Sequence, residues 1–219
     1  MPKYLIGIDE AGRGPLAGPL SVAAVCVPVG VNILDICEGV TDSKKLSPER
    51  REEIYRVLEN AQIKNSRPRS SDKAMQHRVL HRGGEVCMYA HTHVMPSTLD
   101  RWGMTKSLQV AVARVLGKLP VDPKEVRVLL DGSLKAPAEY ENQETIIKGD
   151  CSESIIGAAS IIAKVRRDQS MVRYAKQYPE YGFEQHKGYG TVVHRARIKK
   201  YGPCVIHRKR FIKRLIRDL

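Results

Sequence analysis

The chain has 219 residues, 42% of them hydrophobic, enough to bury one substantial core or a core with a small appendage, and it reads as a single domain over 1–219. Lysine and arginine number 37 against 24 acidic residues, a formal net charge of +13, so a polyanionic partner is favoured and nucleic acid is the first candidate. Five scattered cysteines with no C-x-x-C pair exclude a disulfide framework and a zinc ribbon, and no apolar stretch has signal-peptide or membrane-spanning character. The expectation is a soluble, cytoplasmic monomer with reduced thiols and no evident protein partner.

In chain order, residues 4–8 form a short apolar run ending at Asp9, and 20–27 a second, closed by Pro28. Both read as buried strands. The segment between them is rich in glycine and proline, which excludes helix and forces an unusual backbone path. Ser47, Pro48 and Glu49 mark a helix start, with the helix running to about Ala61. Residues 64–84 have no clear period and read as a loop or insertion. A strand is expected over 86–94, a helix over 105–116 and a strand over 126–130 that ends in Asp131. The run 154–174 carries a wide apolar face with small residues and predicts the central buried helix, with Asp150 at its start. Beyond Gln177 the chain alternates turns with basic helical segments, and Phe211, Ile212, Leu215, Ile216 and Leu219 predict a last amphipathic helix. There is no internal repeat and no low-complexity linker.

The carboxylates carry the chemistry. Asp9, Glu10 and Asp131 stand at strand ends, where open α/β sheets gather functional side chains. Three carboxylates in a partly dry cleft repel one another and are stable only when protonated or bound to cations, and magnesium or manganese suits oxygen ligands. Consecutive strand residues face opposite ways, so Asp9 and Glu10 can share a site only if the strand ends or bends there. Asp168 sits beside Arg166 and Arg167 and reads as a surface ion-pair member. Lys44, Lys45, Lys148 and Lys187 are candidate phosphate contacts, and Tyr189, in a Gly-Tyr-Gly turn, could stack on a sugar or base.

At these residues the sequence resembles bacterial ribonuclease HII. The resemblance rests on Asp9-Glu10-Ala11-Gly12-Arg13-Gly14-Pro15-Leu16-Ala17-Gly18-Pro19, on Thr41-Asp42-Ser43-Lys44-Lys45-Leu46-Ser47, and on Leu130-Asp131-Gly132. Lys148-Gly149-Asp150-Cys151-Ser152, Ala158-Ala159-Ser160-Ile161-Ile162-Ala163-Lys164-Val165-Arg166-Arg167-Asp168 and His186-Lys187-Gly188-Tyr189-Gly190-Thr191 complete it, in the family's order. Similarity spans nearly the whole chain and is weakest over 66–84. It implies an α/β, RNase H-like mixed sheet flanked by helices, with a helical C-terminal subregion over about 177–219 beside the cleft. It implies Asp9, Glu10, Asp131 and Asp150 as catalytic metal ligands for Mg2+ or Mn2+, and Asp150 rather than Asp168 as the fourth. Gly12, Arg13 and Gly14 match the motif that reads a ribose 2'-hydroxyl, with Tyr189 as its partner. The implied substrates are RNA-DNA hybrids and duplex DNA containing ribonucleotides, cut 5' of the ribonucleotide to leave 3'-hydroxyl and 5'-phosphate ends, for removal of ribonucleotides from DNA. Two cations ~4 Å apart can support such an in-line displacement. One departure is Arg210, where the family usually has serine.

Other readings fit less well. A dinucleotide fold fails because Gly12, Gly14 and Gly18 are misspaced by one and the acidic pair would repel pyrophosphate. A non-catalytic RNA-binding protein leaves the carboxylates unexplained. A transition-metal site from His77, His81, Cys87, His91 and His93 completes no zinc-ligand pattern. Ribonuclease HIII would place an additional N-terminal domain before a strand that here starts at Tyr4.

Overall fold

The first apolar run forms strand β1, Tyr4–Ala11, and the second forms β2, Leu20–Pro28. The structure is a computed structural model and describes residues 1–41, 43–60, 77–80 and 86–217. Strands β3 (His77–Leu80), β4 (Val86–Val94), β5 (Val126–Asp131) and β6 (Gln143–Ile146) complete a six-stranded sheet in the order β3-β4-β2-β1-β5-β6. The pairs β1/β2, β2/β4 and β3/β4 are antiparallel, while β1/β5 and β5/β6 are parallel. The expected mixed sheet flanked by helices is therefore present. The helices are α1 (Ile33–Ile36), α2 (Pro48–Asn60), α3 (Pro96–Leu116), α4 (Gly149–Ser152), α5 (Ser154–Gln177), α6 (Phe183–His186), α7 (Val192–Tyr201) and α8 (Lys209–Ile212).

Side chains of β1, β2, β4 and β5 alternate between two cores, which is why β2 is buried at nearly every position. Ile6, Ile8, Val22, Ala24, Val128 and Leu130 pack with Leu108, Val112 and Val115 of α3 on one face. Ala23, Val25 and Leu129 meet Ile155, Ala158, Ala159 and Ile162 of α5 on the other. Each fully buried isoleucine there contributes about 1.5–3 kcal/mol. Small residues set the spacing between α5 and the sheet. A Cβ at Gly7 would lie 2.6 Å from the Ile155 carbonyl carbon, so glycine lets β1 run directly beneath the start of α5.

Helix α2 begins as its sequence predicts, with Ser47 Oγ accepting the Arg50 N–H at 3.2 Å. Several boundaries differ. β1 does not stop at Asp9 but pairs with β2 through Ala11, because the β2 ladder continues to Ser21. α3 starts at Pro96, nine residues before the expected 105, and is interrupted at Gly103, whose φ of 78° is non-helical. That interruption splits the apolar period the sequence reading relied on. Residues 77–80, expected in a loop, are a strand because β4 offers them an edge; the rest of 64–84 lies outside the described residues. β6 was not expected at all, since Gln143, Glu144 and Thr145 give an edge strand no apolar alternation.

The expected last helix is one turn, α8, followed by turns to residue 217, and Leu219 lies outside the described residues. Ile212 is buried, and Leu215 and Ile216 pack on a third cluster with Ala17, Met171, Tyr181, Phe183, Ile198 and Ile206. Tertiary packing, not a continuous helix, satisfies that apolar spacing. Where the family usually has serine, the Arg210 N–H donates to Asp100 Oδ1 at 3.1 Å and the Lys209 N–H to Oδ2 at 2.8 Å, so a carboxylate from α3 caps α8. Among the described residues, no helix is long and apolar enough to cross a membrane.

Candidate active site

Ile8 of β1 pairs in register with Leu130 of β5, so Asp9 and Asp131 are the next residues on neighbouring parallel strands and lie side by side on the α5 face. Glu10 points to the opposite face, since the strand neither ends nor bends at Asp9. The three still interact through their charges, because the β1/β5 ladder stops at Ile8 and Leu130 and the acids follow directly on both strands. Asp9 is held by the Glu10 N–H, 2.7 Å from its Oδ1, and by a hydrogen bond from Ser160 of α5. Ser160 Oγ is also 2.8 Å from Ser43 Oγ, tying the Thr41–Ser47 motif to the same spot. Asp150 is buried in α4 rather than at the start of α5; Lys148, at φ 56°, and the extended Glu153 isolate that single turn. Lys44 Nζ lies 3.1 Å from Asp150 Oδ2.

Burial, the Glu10 charge and then the Asp131 charge raise the Asp9 carboxyl well above its ordinary range. Burial also raises Glu10, with Asp131 adding to the rise and Arg13, its Nε 2.6 Å from Glu10 Oε1, opposing it. Glu10 Oε2 and Asp131 Oδ1 are buried without a hydrogen-bond donor. Unpartnered carboxylate oxygens of like charge are costly in a dry site, and the donor set fits a hard divalent cation. Among the described residues no three His, Cys, Asp or Glu side chains are already gathered to enclose an ion. Arg13 and Lys44 instead hold two of the carboxylates.

The 12–19 loop leaves β1 beside this group. Gly12 has φ 95°, and a Cβ there would lie 2.2 Å from Arg167 Nε, so both backbone and space require glycine. Gly14 is exposed and open, and Arg13 reaches Ser133 Oγ at 3.1 Å as well as Glu10. Two fully buried arginines fix the loop. Arg208 donates to the carbonyls of Gly12 at 2.7 Å, Arg13 at 2.9 Å and Gly18 at 3.0 Å. Arg167 donates to those of Pro19 at 3.1 Å, Ala17 at 3.2 Å and Lys187 at 2.9 Å. Neither was singled out as a site residue from sequence. The available signal was a loop whose carbonyls no helix or strand can pair and which therefore needs donors from elsewhere.

The Gly-Tyr-Gly turn docks on the same loop, with the Gly188 carbonyl accepting the Leu16 N–H at 2.8 Å. Tyr189 is 44% exposed, and the Arg167 guanidinium lies 5.6 Å from its ring centroid. Lys44, Lys45 and Lys148 are exposed. Lys187 donates instead to the Glu184 carbonyl and lines a groove with Arg51, Val165 and Asp168. Asp168 pairs with Lys164 at 2.9 Å, an ion pair as expected of it, but partly buried rather than at the surface. Of the transition-metal candidates, His91 accepts from Arg166 Nε at 3.3 Å and His93 meets Ser170 Oγ at 3.3 Å, while Cys87 is buried in the sheet. His81 lies outside the described residues.

A mixed sheet of this order, with acidic residues at the ends of adjacent parallel strands, defines the RNase H-like class. The ribonuclease H2 from Pyrococcus horikoshii OT3 superposes with a TM-score of 0.68 at 24% identity, covering 99% of this chain and 100% of that one. Bst-RNase HIII in complex with Mn2+ gives 0.61 at 20% identity, covering 98% of this chain and 70% of that one. The family model Ribonuclease HII matches residues 6–214. A ribonuclease HII from Geobacter metallireducens is 40% identical over 205 residues, 94% of this chain and 82% of that protein. The chain belongs to the ribonuclease HII family and is thus a ribonuclease H, a hydrolase acting on RNA paired with DNA.

Proposed function

We propose that this enzyme cuts duplexes on the 5' side of a ribonucleotide, including a single one embedded in DNA, with Asp9, Glu10, Asp131 and Asp150 as ligands for Mg2+ or Mn2+. The observation that carries the reading is the pair of buried, unpartnered oxygens, Glu10 Oε2 and Asp131 Oδ1, next to a carboxyl already destabilised as an anion. Two ions held by these carboxylates would supply an activated water and offset charge on the scissile phosphate and departing oxygen. The water oxygen bonds to phosphorus as the P–O3' bond breaks, leaving a 3'-hydroxyl upstream and a 5'-phosphate on the ribonucleotide.

The chain's own residues do the positioning. Backbone groups of Gly12, Arg13 and Gly14 approach the 2'-hydroxyl closely because the two glycines carry no side chain and Arg208 holds the Gly12 and Arg13 carbonyls. Tyr189 presents its ring to the same ribose. Lys44, Lys45 and Lys148 face phosphates, Lys44 leaving Asp150 as the ligand set forms; Lys187 contributes charge from the groove side. In this reading the whole chain is one catalytic domain, its 177–219 part flanking the substrate, and works as a monomer in the cytoplasm on ribonucleotides left in DNA. The net charge of +13 supports the nucleic-acid partner.

The test is a duplex with one ribonucleotide, incubated with Mg2+, with Mn2+ and with chelator. A metal-dependent cut at the 5' side with 3'-hydroxyl ends is expected. Cleavage that survives chelation, or intact single-ribonucleotide duplex beside a degraded all-RNA strand, would refute the metal or the junction part respectively.

A further inference from the structure

The C-terminal part contains buried histidines that the hydrolytic reading leaves unused. His194 Nδ1 lies 2.9 Å from the Tyr189 carbonyl oxygen, and a carbonyl only accepts, so this nitrogen carries a proton. In a neutral ring His194 Nε2 is then an acceptor, and His207 Nε2, 3.1 Å away, must donate to it. That leaves His207 Nδ1 as the acceptor for the Cys204 N–H at 3.0 Å, with Cys204 Sγ at 3.1 Å. The alternative, His207 Nδ1–H donating to the Cys204 carbonyl at 3.3 Å, would require a doubly protonated His194. Burial opposes this by drawing His194 down to about 4.

His186 stacks on His194 with centroids 4.3 Å apart and planes at 16°. Its Nε2–H donates to the Tyr181 carbonyl at 2.8 Å, and its Nδ1 accepts the Gly188 N–H at 3.2 Å. The Tyr189 N–H is taken by the His186 carbonyl at 2.9 Å. The Tyr189 carbonyl is therefore held by the His194 imidazole, itself oriented from a tail segment through His207, while the Tyr189 N–H rests on the His186 backbone carbonyl.

We propose that His194, oriented by His207, is a positioning residue for Tyr189, so that ribose selection depends on a neutral two-histidine relay anchored at the Cys204 backbone. The inference rests on the role proposed above for Tyr189. Without the His194 donor the Tyr189 carbonyl keeps the Thr191 N–H at 2.8 Å but loses its imidazole partner, and the loosened turn lets the ring shift relative to Arg167. A displacement of ~1 Å at a reacting centre can cost about a hundredfold in rate.

His194→Leu should lower kcat/KM on the single-ribonucleotide duplex by about tenfold or more. His194→Asn, whose amide nitrogen can replace the Nδ1–H donor, should recover most of that loss, and His207→Gln, which can still donate toward His194, should lose less than His207→Leu. In a Tyr189→Ala background the His194→Leu loss should vanish, because the relay then has no ring to place. An equal loss in both backgrounds would assign His194 a structural role and overturn the proposal. Nitrogen-15 NMR of the wild-type protein decides independently of any variant's folding: His194 as Nδ1–H and His207 as Nε2–H are expected, and the opposite tautomer at either refutes the relay. If Tyr189→Ala leaves single-ribonucleotide cleavage intact while these tautomers stand, the Tyr189 role itself has failed and the relay has no function in selection.

Discussion

Replacing Arg208 by methionine tests whether the 12–19 loop is held in shape by a residue 196 positions downstream of Gly12. The guanidinium is fully buried and gives three donors to the carbonyls of Gly12, Arg13 and Gly18 at 2.7–3.0 Å. Charge-assisted bonds of this kind are each worth about 1.5–3 kcal/mol. Burial of the charge opposes this, drawing the guanidinium down to about 9, with Arg167 adding to the shift. Methionine matches much of the volume but leaves three carbonyls without their donor, and breaking such a buried charged network costs about 3–5 kcal/mol. In a chain of 219 residues that corresponds to a fall in Tm of roughly 6–20 °C. Arg208→Lys keeps the charge but cannot reach all three oxygens, so it should fall between. The assay pairs thermal unfolding by circular dichroism with kcat on the single-ribonucleotide duplex, measured well below the lowered Tm. kcat should drop at least about tenfold where the protein is still folded. A methionine variant with unchanged Tm and kcat would show that the loop holds its own shape.

Asp131→Asn should cut activity about a thousandfold or more while hybrid binding persists, since a metal ligand is lost but the basic surface is not; Mg2+ should raise the Tm of the wild type and not of this variant. Asp168→Asn, which removes the pair with Lys164 and a longer contact to Arg167 Nη1 at 3.9 Å, should keep most activity, and a reversed order would move the fourth ligand to Asp168. Burial draws His194 and His207 down to about 4, below the ordinary value near 6.5 in the unfolded chain. Their folded-state values are depressed, so their contribution is complete above about pH 6.5 and is lost as pH falls toward 4. Asp9 and Glu10, shifted upward, act in the opposite sense, so the relay is read as the difference in urea midpoint between wild type and His207→Gln across pH 7.5 to 4.5. Superimposable profiles would refute it.

The parts of the fold that announce themselves in sequence are those buried on both sides. β1, β2 and β5 are unbroken apolar runs because α3 and α5 cover both faces. β6 and β3 are the outer strands of the sheet, and pairing with a single neighbour makes them strands. At the site, Asp9, Glu10 and Asp131 were visible as acids that end apolar runs, and their electrostatic coupling followed. Asp150 was visible only through its motif, since a single turn set off by Lys148 and Glu153 has no period to read. Arg167, Arg208 and Ser160 act through contacts between residues far apart in the chain, which no local pattern encodes, and the histidines meet only once the short C-terminal segments have packed together. Basic residues in a strongly basic chain also look alike until burial separates them.

Arg208 has a consequence for the order in which the molecule is made. Its partner Gly12 lies 196 residues upstream, immediately after the strand that carries the acidic pair. During synthesis β1 can pair with β2 as soon as residue 28 has emerged, so the acidic pair is in place early. The glycine-rich segment beside it gains Arg167 next and its second clamp only when residue 208 leaves the ribosome. The strand bearing the acidic pair is thus paired long before the loop beside it is fully held, and the shape of that loop is among the last features the nascent chain acquires.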